Sequence, residues 1–237
     1  MRPVVRGPYP VDEAGNENSV TEYQQFRKPL IERIGTYCSY CEMKLDSSLA
    51  VEHVKPKKVN GIIQSNRLLN WDNLLLACPN CNSCKGNKDI DLAEYLFPDI
   101  DNTFMAFEYT EGGCISVAQG IGSQLSTIAE RTLKLTGLDK TPPETREASD
   151  RRWRTRREAW DMAQRSLKRL QTCNTLEMRK QIVETMKSNG YWSVWMTVFK
   201  EDADMRRRFI EAMEGTAEDC FDAANGYVPV QRPGGKI

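Results

Sequence analysis

The sequence predicts an α+β fold, mainly helical, and three observations carry that expectation. Two Cys-x2-Cys pairs, Cys38/Cys41 and Cys78/Cys81, flank a run of strand-like and turn-like residues, which reads as a small β-β-α unit folded on a metal. Residues 104–109 and 114–117 are strand formers separated by Glu111, Gly112 and Gly113, the pattern of a β-hairpin. Beyond Gly122, apolar residues recur at helical steps for almost all the remaining length, as in Trp153, Trp160, Ala163, Leu167 and Leu170. These signals divide the chain into an N-terminal arm and helix (1–35), a metal-stapled module (36–98), a β-hairpin connector (99–121) and a helical assembly region (122–237).

Taken in order, residues 1–15 hold Pro3, Pro8, Pro10, Gly7 and Gly15, too many breakers for regular structure, so they read as an arm laid over another surface. Ser19 or Thr21 can cap a helix through Tyr23, Phe26, Leu30, Ile31 and Ile34, which Gly35 stops and Pro29 kinks or divides. Residues 49–54 read as a strand, 55–67 as a loop and 70–77 as a turn running into a second strand. The second cysteine pair then opens a short helix through Lys88. Residues 92–96 read as helix ended by Phe97-Pro98. Pro142-Pro143 and Gly190 separate pairs of helices, and the stretch from Gly226 to Ile237 reads as irregular.

Composition sets limits on function. Forty per cent apolar and 28% charged residues in 237 fit a folded globular protein, and Lys+Arg equals Asp+Glu at 33 each. No global field draws this chain to nucleic acid, so any such surface is local. There is neither an apolar run of about 18 residues nor a basic-then-apolar leader, which predicts a cytoplasmic protein with no membrane partner. In a reducing compartment the paired cysteines read as ligands of one structural Zn2+ rather than as disulfides. Cys114, Cys173 and Cys220 read as small buried apolar residues.

The residues between and after the cysteine pairs carry the chemistry. His53 is the single histidine, and its near-neutral pKa suits a general base. Glu52 beside it offers a hard oxygen for Mg2+ or Mn2+, and the Asn82 carbonyl oxygen can complete that site, leaving Asn73 to orient His53. Neighbours on a strand point to opposite faces, so Glu52 and His53 serve one site only if the backbone bends near Pro56. A base, a divalent ion and groups to position them are what phosphodiester hydrolysis requires.

In sequence order, Cys-x2-Cys, Glu52-His53-x2-Pro56, Asn73-Leu-Leu-Leu-Ala-Cys78 and Cys81-Asn82-Ser-Cys84-Lys85-Gly86 resemble the HNH (ββα-metal) endonuclease motif. The resemblance implies that Glu52 and Asn82 bind one divalent ion, His53 is the general base and Asn73 supports it. Two departures stand out: Glu52 lies where Asp is commoner, and Cys84 offers an extra thiol, although the paired Cys-x2-Cys knuckles already satisfy tetrahedral zinc without it. Wider blocks, among them residues 34–42, 51–57, 75–83 and 101–104, are similar to the HNH nuclease subunits of Septu antiphage systems, with retron-linked relatives. That similarity implies DNA as substrate and an SMC-like ATPase partner in a hetero-oligomeric complex; the chain has no P-loop of its own.

Two function classes follow: a metal-dependent DNA endonuclease, and a catalytically inactive zinc-stapled module that binds nucleic acid or a partner. The arginine-rich run at 151–157 reads as a solvated helix face, a phosphate-contacting surface or a partner-docking face. Trp192, Trp195, Phe199, Phe209 and Met213 share helical spacing and read as core.

Overall fold

The computed structural model describes residues 1–140 and 150–237; the Pro142-Pro143 boundary lies outside them. The arm does lie over other surfaces. Val4 N donates to Pro98 O at 2.7 Å, Val5 N to Gly215 O at 2.7 Å, and Ala217 N to Pro3 O at 3.0 Å. Arg2 is buried and donates to the carbonyls of Ile34, Met213 and Glu214.

After the arm, a 3-10 turn at Tyr23–Phe26 leads into α1 (Arg27–Ile34). Pro29 sits in the first turn of α1, where no intrahelical N–H is needed, so the division falls before the proline rather than at a kink. The start is secured by Gln25, whose Oε1 accepts from the N–H groups of Thr21 and Glu22, not by a Ser19 or Thr21 cap.

The module follows. β1 (Ala50–His53) runs antiparallel to β4 (Leu74–Ala77), pairing Glu52 with Leu75 and His53 with Leu74. Between them lie β2 (Lys58–Val59), β3 (Ile62–Ile63) and the one-turn α2 (Ser65–Leu68), where a loop was expected. Asn60 (φ 49°) and Gly61 (φ 85°) supply the two left-handed positions that a tight hairpin turn needs. All four residues of β4 are buried, and α3 (Pro79–Lys85) starts at once behind it, with Cys78 as cap and Pro79 at the first helical position. Gly86 at φ 57° ends α3 three residues earlier than expected. Residues 92–96 form only one 3-10 turn, Leu92–Glu94, because Asp91 caps it and Tyr95 is already extended.

β5 (Phe107–Tyr109) and β6 (Ile115–Val117) make the expected hairpin. The rest is helical: α4 (Ser123–Thr136), α5 (Arg152–Thr172), α6 (Leu176–Asn189), α7 (Trp192–Val198) and α8 (Ala203–Ala212). The tail is not wholly irregular, since β7 (Phe221–Asp222) pairs with β8 (Val228–Pro229). One core gathers the module, α1, the hairpin and α4. A second gathers α5 to α8 around Trp192, Trp195, Phe199, Phe209 and Met213, all buried as expected. Cys220 is buried in that core, Cys114 is half-buried and Cys173 is exposed.

The two cores meet at Glu42. Its carboxylate accepts from Ser193 N at 2.8 Å and from Ser193 Oγ at 2.5 Å, and its carbonyl accepts from Tyr191 N at 2.9 Å. A carboxylate there lies against the orphan N–H groups at the start of α7, a favourable charge–dipole arrangement in a buried setting. Glu42→Ala leaves those donors unpaired and is expected to destabilise the protein by about 1–3 kcal/mol. A thermal melt checks this, and an unchanged midpoint refutes it.

Candidate metal centre and catalytic cleft

The first cysteine pair forms a knuckle because Glu42 N donates to Cys38 O at 2.9 Å and Cys38 N to Met43 O at 3.0 Å. Ser39 N donates to Leu76 O at 2.8 Å, which joins that knuckle to β4 and to the second pair immediately behind it. The sulfurs of Cys38, Cys41, Cys78 and Cys81 consequently lie within 4.8 Å of one another, and all four residues are buried. Tetrahedral zinc with Zn–S bonds of about 2.3 Å places its sulfurs about 3.8 Å apart, so the cluster has the size of a Zn2+ site. Burial pushes the Cys81 thiol well up, while hydrogen bonds from Cys38, Cys41 and Cys81 pull the Cys78 thiol down, so the four sulfurs titrate as one group. Cys84 stands outside the four.

α5 closes this centre. Arg152 is buried, with Nη1 donating to Cys81 Sγ at 3.0 Å and Nη2 at 3.8 Å from Cys84 Sγ. Asp150 grips it through Nε (2.9 Å) and Nη2 (2.6 Å), and the carbonyls of Thr136 and Gly137 accept at 2.8 Å each. Four thiolates around Zn2+ carry a net charge of about −2, and the guanidinium offsets part of it. Arg156 is buried too and donates to Gly113 O at 2.7 Å. The arginine run is therefore not one surface: Arg151, Arg154 and Arg157 are exposed, while Arg152 and Arg156 hold the interior.

The cleft runs along β1. Glu52 and His53 are the last two residues of β1, and the backbone bends at Val54 and Lys55, just before Pro56, as the shared site requires. Glu52, His53, Lys57, Asn82 and Tyr23 line a cavity of about 260 Å³ there. His53 Nε2 lies 3.0 Å from Leu68 O. A carbonyl only accepts, so Nε2 carries the proton and Nδ1 keeps a lone pair. Tyr23 packs edge-on to the ring at 4.8 Å. Burial lowers the His53 pKa, the Leu68 bond opposes this, and Lys57 and Lys85 lower it further, so the imidazole is neutral at neutral pH.

Two positions differ from expectation. Asn73 does not touch His53 through its amide: Oδ1 accepts from Lys55 N at 2.7 Å, while Nδ2 donates to Lys55 O at 2.9 Å and Arg67 O at 3.2 Å. It clamps the two ends of the excursion between β1 and β4, and so acts on the cleft through the backbone. Lys85, part of the motif, has a role that the sequence does not declare. Buried at the end of α3, its Nζ lies 2.8 Å from Glu52 Oε1 and donates to His53 O at 2.7 Å. Burial raises the Glu52 pKa and Lys85 pulls it back. The signal was available: Lys85 follows Asn82 by three residues, on the same face of a short helix.

Glu52 and Asn82 offer hard oxygens to one cleft, a donor set that fits Mg2+ or Mn2+ rather than a soft metal. For the sulfur centre, Cys38→Ser or Cys81→Ser is expected to abolish zinc binding and the cooperative melt, since a structural Zn2+ contributes about 10 kcal/mol or more to folding. Zinc content and melting temperature equal to the parent's would refute this.

Residues 38–88 match the family model described as HNH endonuclease. The chain is also 34% identical over 100 residues to the Septu protein PtuB of Bacillus thuringiensis, a match covering 40% of this chain and 37% of that protein. The chain thus corresponds to well under two thirds of that relative's length. The stretch matched by the family model is the one in which β1, β4 and α3 build the cleft beside the four-cysteine cluster, and residues 38–88 form an HNH endonuclease domain.

Proposed function

We propose that this protein is a metal-dependent endonuclease that hydrolyses DNA phosphodiester bonds, serving as effector nuclease of an antiphage defence complex with an SMC-like ATPase subunit of the PtuA type. The observation that carries the catalytic part is the placement of His53: its ring nitrogen Nε2 lies 3.0 Å from Leu68 O, and the ring lines the cleft that Glu52 and Asn82 also line. The HNH match over residues 38–88 and the similarity to PtuB support the defence role and the partner. Among the described residues no helix is long and apolar enough to cross a membrane.

In this reading His53 Nδ1 takes the proton from a water aligned with the scissile phosphate. Leu68 O holds the ring and stabilises the imidazolium as it forms, and Tyr23 walls off one side. Lys85 keeps Glu52 ionised and fixes the His53 backbone. Asn73 holds the strand end and the return of the chain at one spacing. Glu52 and Asn82 would hold Mg2+ or Mn2+, which when bound neutralises charge on the phosphate and the leaving oxygen.

The alternative, an inactive zinc-stapled binding module, draws on one observation: Lys85 already engages Glu52, leaving that carboxylate less negative toward a cation. Nicking of supercoiled plasmid with Mg2+ or Mn2+ separates the two readings. His53→Ala is expected to lose about 10²–10⁴ in rate with an unchanged melt. The acid limb of kcat/KM should lie below pH about 6.5, because protonation of a histidine whose pKa is lowered requires more acid. Wild-type-like nicking by His53→Ala, or no nicking by the parent with its partner present, refutes the endonuclease reading.

Lys85→Met provides a second test. It leaves Glu52 buried beside no cation, so stability should fall by about 3–5 kcal/mol, and activity should fall in the fraction that remains folded. Lys85→Arg should recover part of both. Parent-like stability in Lys85→Met would show that the pair does not hold the cleft.

A further inference from the structure

The excursion between β1 and β4 carries features that the hydrolytic chemistry leaves unexplained. Residues 55–67 contain Lys55, Lys57, Lys58 and Arg67 and no acidic residue. Arg67 is paired with Asp89 at 2.7 Å. Lys57 Nζ stands 3.8 Å from the Tyr23 ring centroid at the lip of the cleft, and Lys58 is exposed on β2. On β3, Ile62 and Ile63 are 67% and 64% exposed, the two most exposed large apolar side chains among the described residues.

No core accounts for these isoleucines. β2 and β3 pair only with each other, over Lys58↔Ile63 and Val59↔Ile62. Yet the hairpin is held firmly at its root: Gln64 N donates to Lys57 O at 2.8 Å, and Asn73 clamps Lys55 to Arg67. The residue that accepts from His53, Leu68, comes immediately after the clamp. A rigid two-stranded ribbon thus projects beside the base, with an apolar tip and lysines behind it.

Lysines flanking exposed aliphatic side chains match the two surfaces of a duplex, an anionic backbone and the apolar sugar and base edges within a groove. A two-stranded ribbon is also of a size that the major groove admits. We propose that the β2–β3 hairpin is a groove-entering ribbon that seats duplex DNA on the cleft, Lys55, Lys57 and Lys58 contacting phosphates and Ile62 and Ile63 lying against sugars and base edges. This rests on the endonuclease reading and names the contact by which that site takes its substrate.

The test is fluorescence anisotropy with a labelled DNA duplex and the full chain carrying His53→Ala, so that nothing is cleaved. Adding Ile62→Asn and Ile63→Asn is expected to raise Kd about tenfold while leaving the salt slope and the melt unchanged. Adding Lys55→Gln, Lys57→Gln and Lys58→Gln should instead flatten log Kd against log salt by about 2–3. Parent-like Kd and salt slope in both variants, or no duplex binding by the parent, overturn the proposal. Plasmid nicking, with His53 restored, reports on the endonuclease reading separately. A chain that nicks equally well with either hairpin variant keeps that reading and loses the ribbon; a chain that binds through the hairpin but never nicks keeps the ribbon and loses the reading.

Discussion

Four sulfur atoms within 4.8 Å of one another fix where β4 ends and α3 begins, and the rest of the cleft takes its place from that junction. Cys78 caps α3, so the helix carrying Asn82 and Lys85 cannot shift without moving a sulfur. β1 is in turn registered on β4, which sets Glu52 and His53 against α3. Outside β4 the module buries Tyr40, Leu49, Val51, Val54, Trp71, Leu96 and Phe97 in a core shared with α1, the β5–β6 hairpin and α4. A metal held by the four sulfurs would add its binding free energy to that core. Arg152 extends the constraint outward: by donating to Cys81 it makes the start of α5 part of the metal centre's surroundings, and the helical half is packed on the sulfur cluster rather than tethered to it.

Within the cleft, a buried ammonium and a buried amide do the positioning. The Lys85–Glu52 pair is almost entirely removed from water, where a lone carboxylate would take up a proton. Lys85 also donates to the His53 carbonyl, so one cation fixes both neighbours on β1. Asn73 satisfies three backbone groups of the excursion that follows. The base is thus held by its Nε2 partner and by the backbone on either side, an arrangement that needs no further side chain on the imidazole.

Much of this was legible in the sequence, for physical reasons that differ by residue. The cysteine spacing declared the metal centre because a tight knuckle admits few other uses, and all four named cysteines converge. Glu52, His53 and Asn82 share one cleft where β1 ends and the backbone bends at Val54 and Lys55, the condition that alternation along a strand imposes. The motif position of Asn73 points to His53, whereas its amide is engaged by the backbone of Lys55 and Arg67. Residues 55–67 read as loop in the sequence, although Asn60-Gly61 between Val59 and Ile62 is a hairpin signal, because two-residue strands are too short for periodicity to show. Charge counting along α5 placed the arginines on a surface, and only tertiary packing revealed that Arg152 and Arg156 face inward.

The central claim is that the chain holds two chemically distinct metal positions, a sulfur site for structure and an oxygen site for catalysis. Titration of the zinc-loaded protein with Mn2+, followed by electron paramagnetic resonance with zinc measured in parallel, tests it most directly. The account predicts one Mn2+ bound per chain without loss of zinc, and its disappearance in Glu52→Ala while zinc stays bound. Mn2+ binding that survives Glu52→Ala, or that proceeds only as zinc is released, would contradict it.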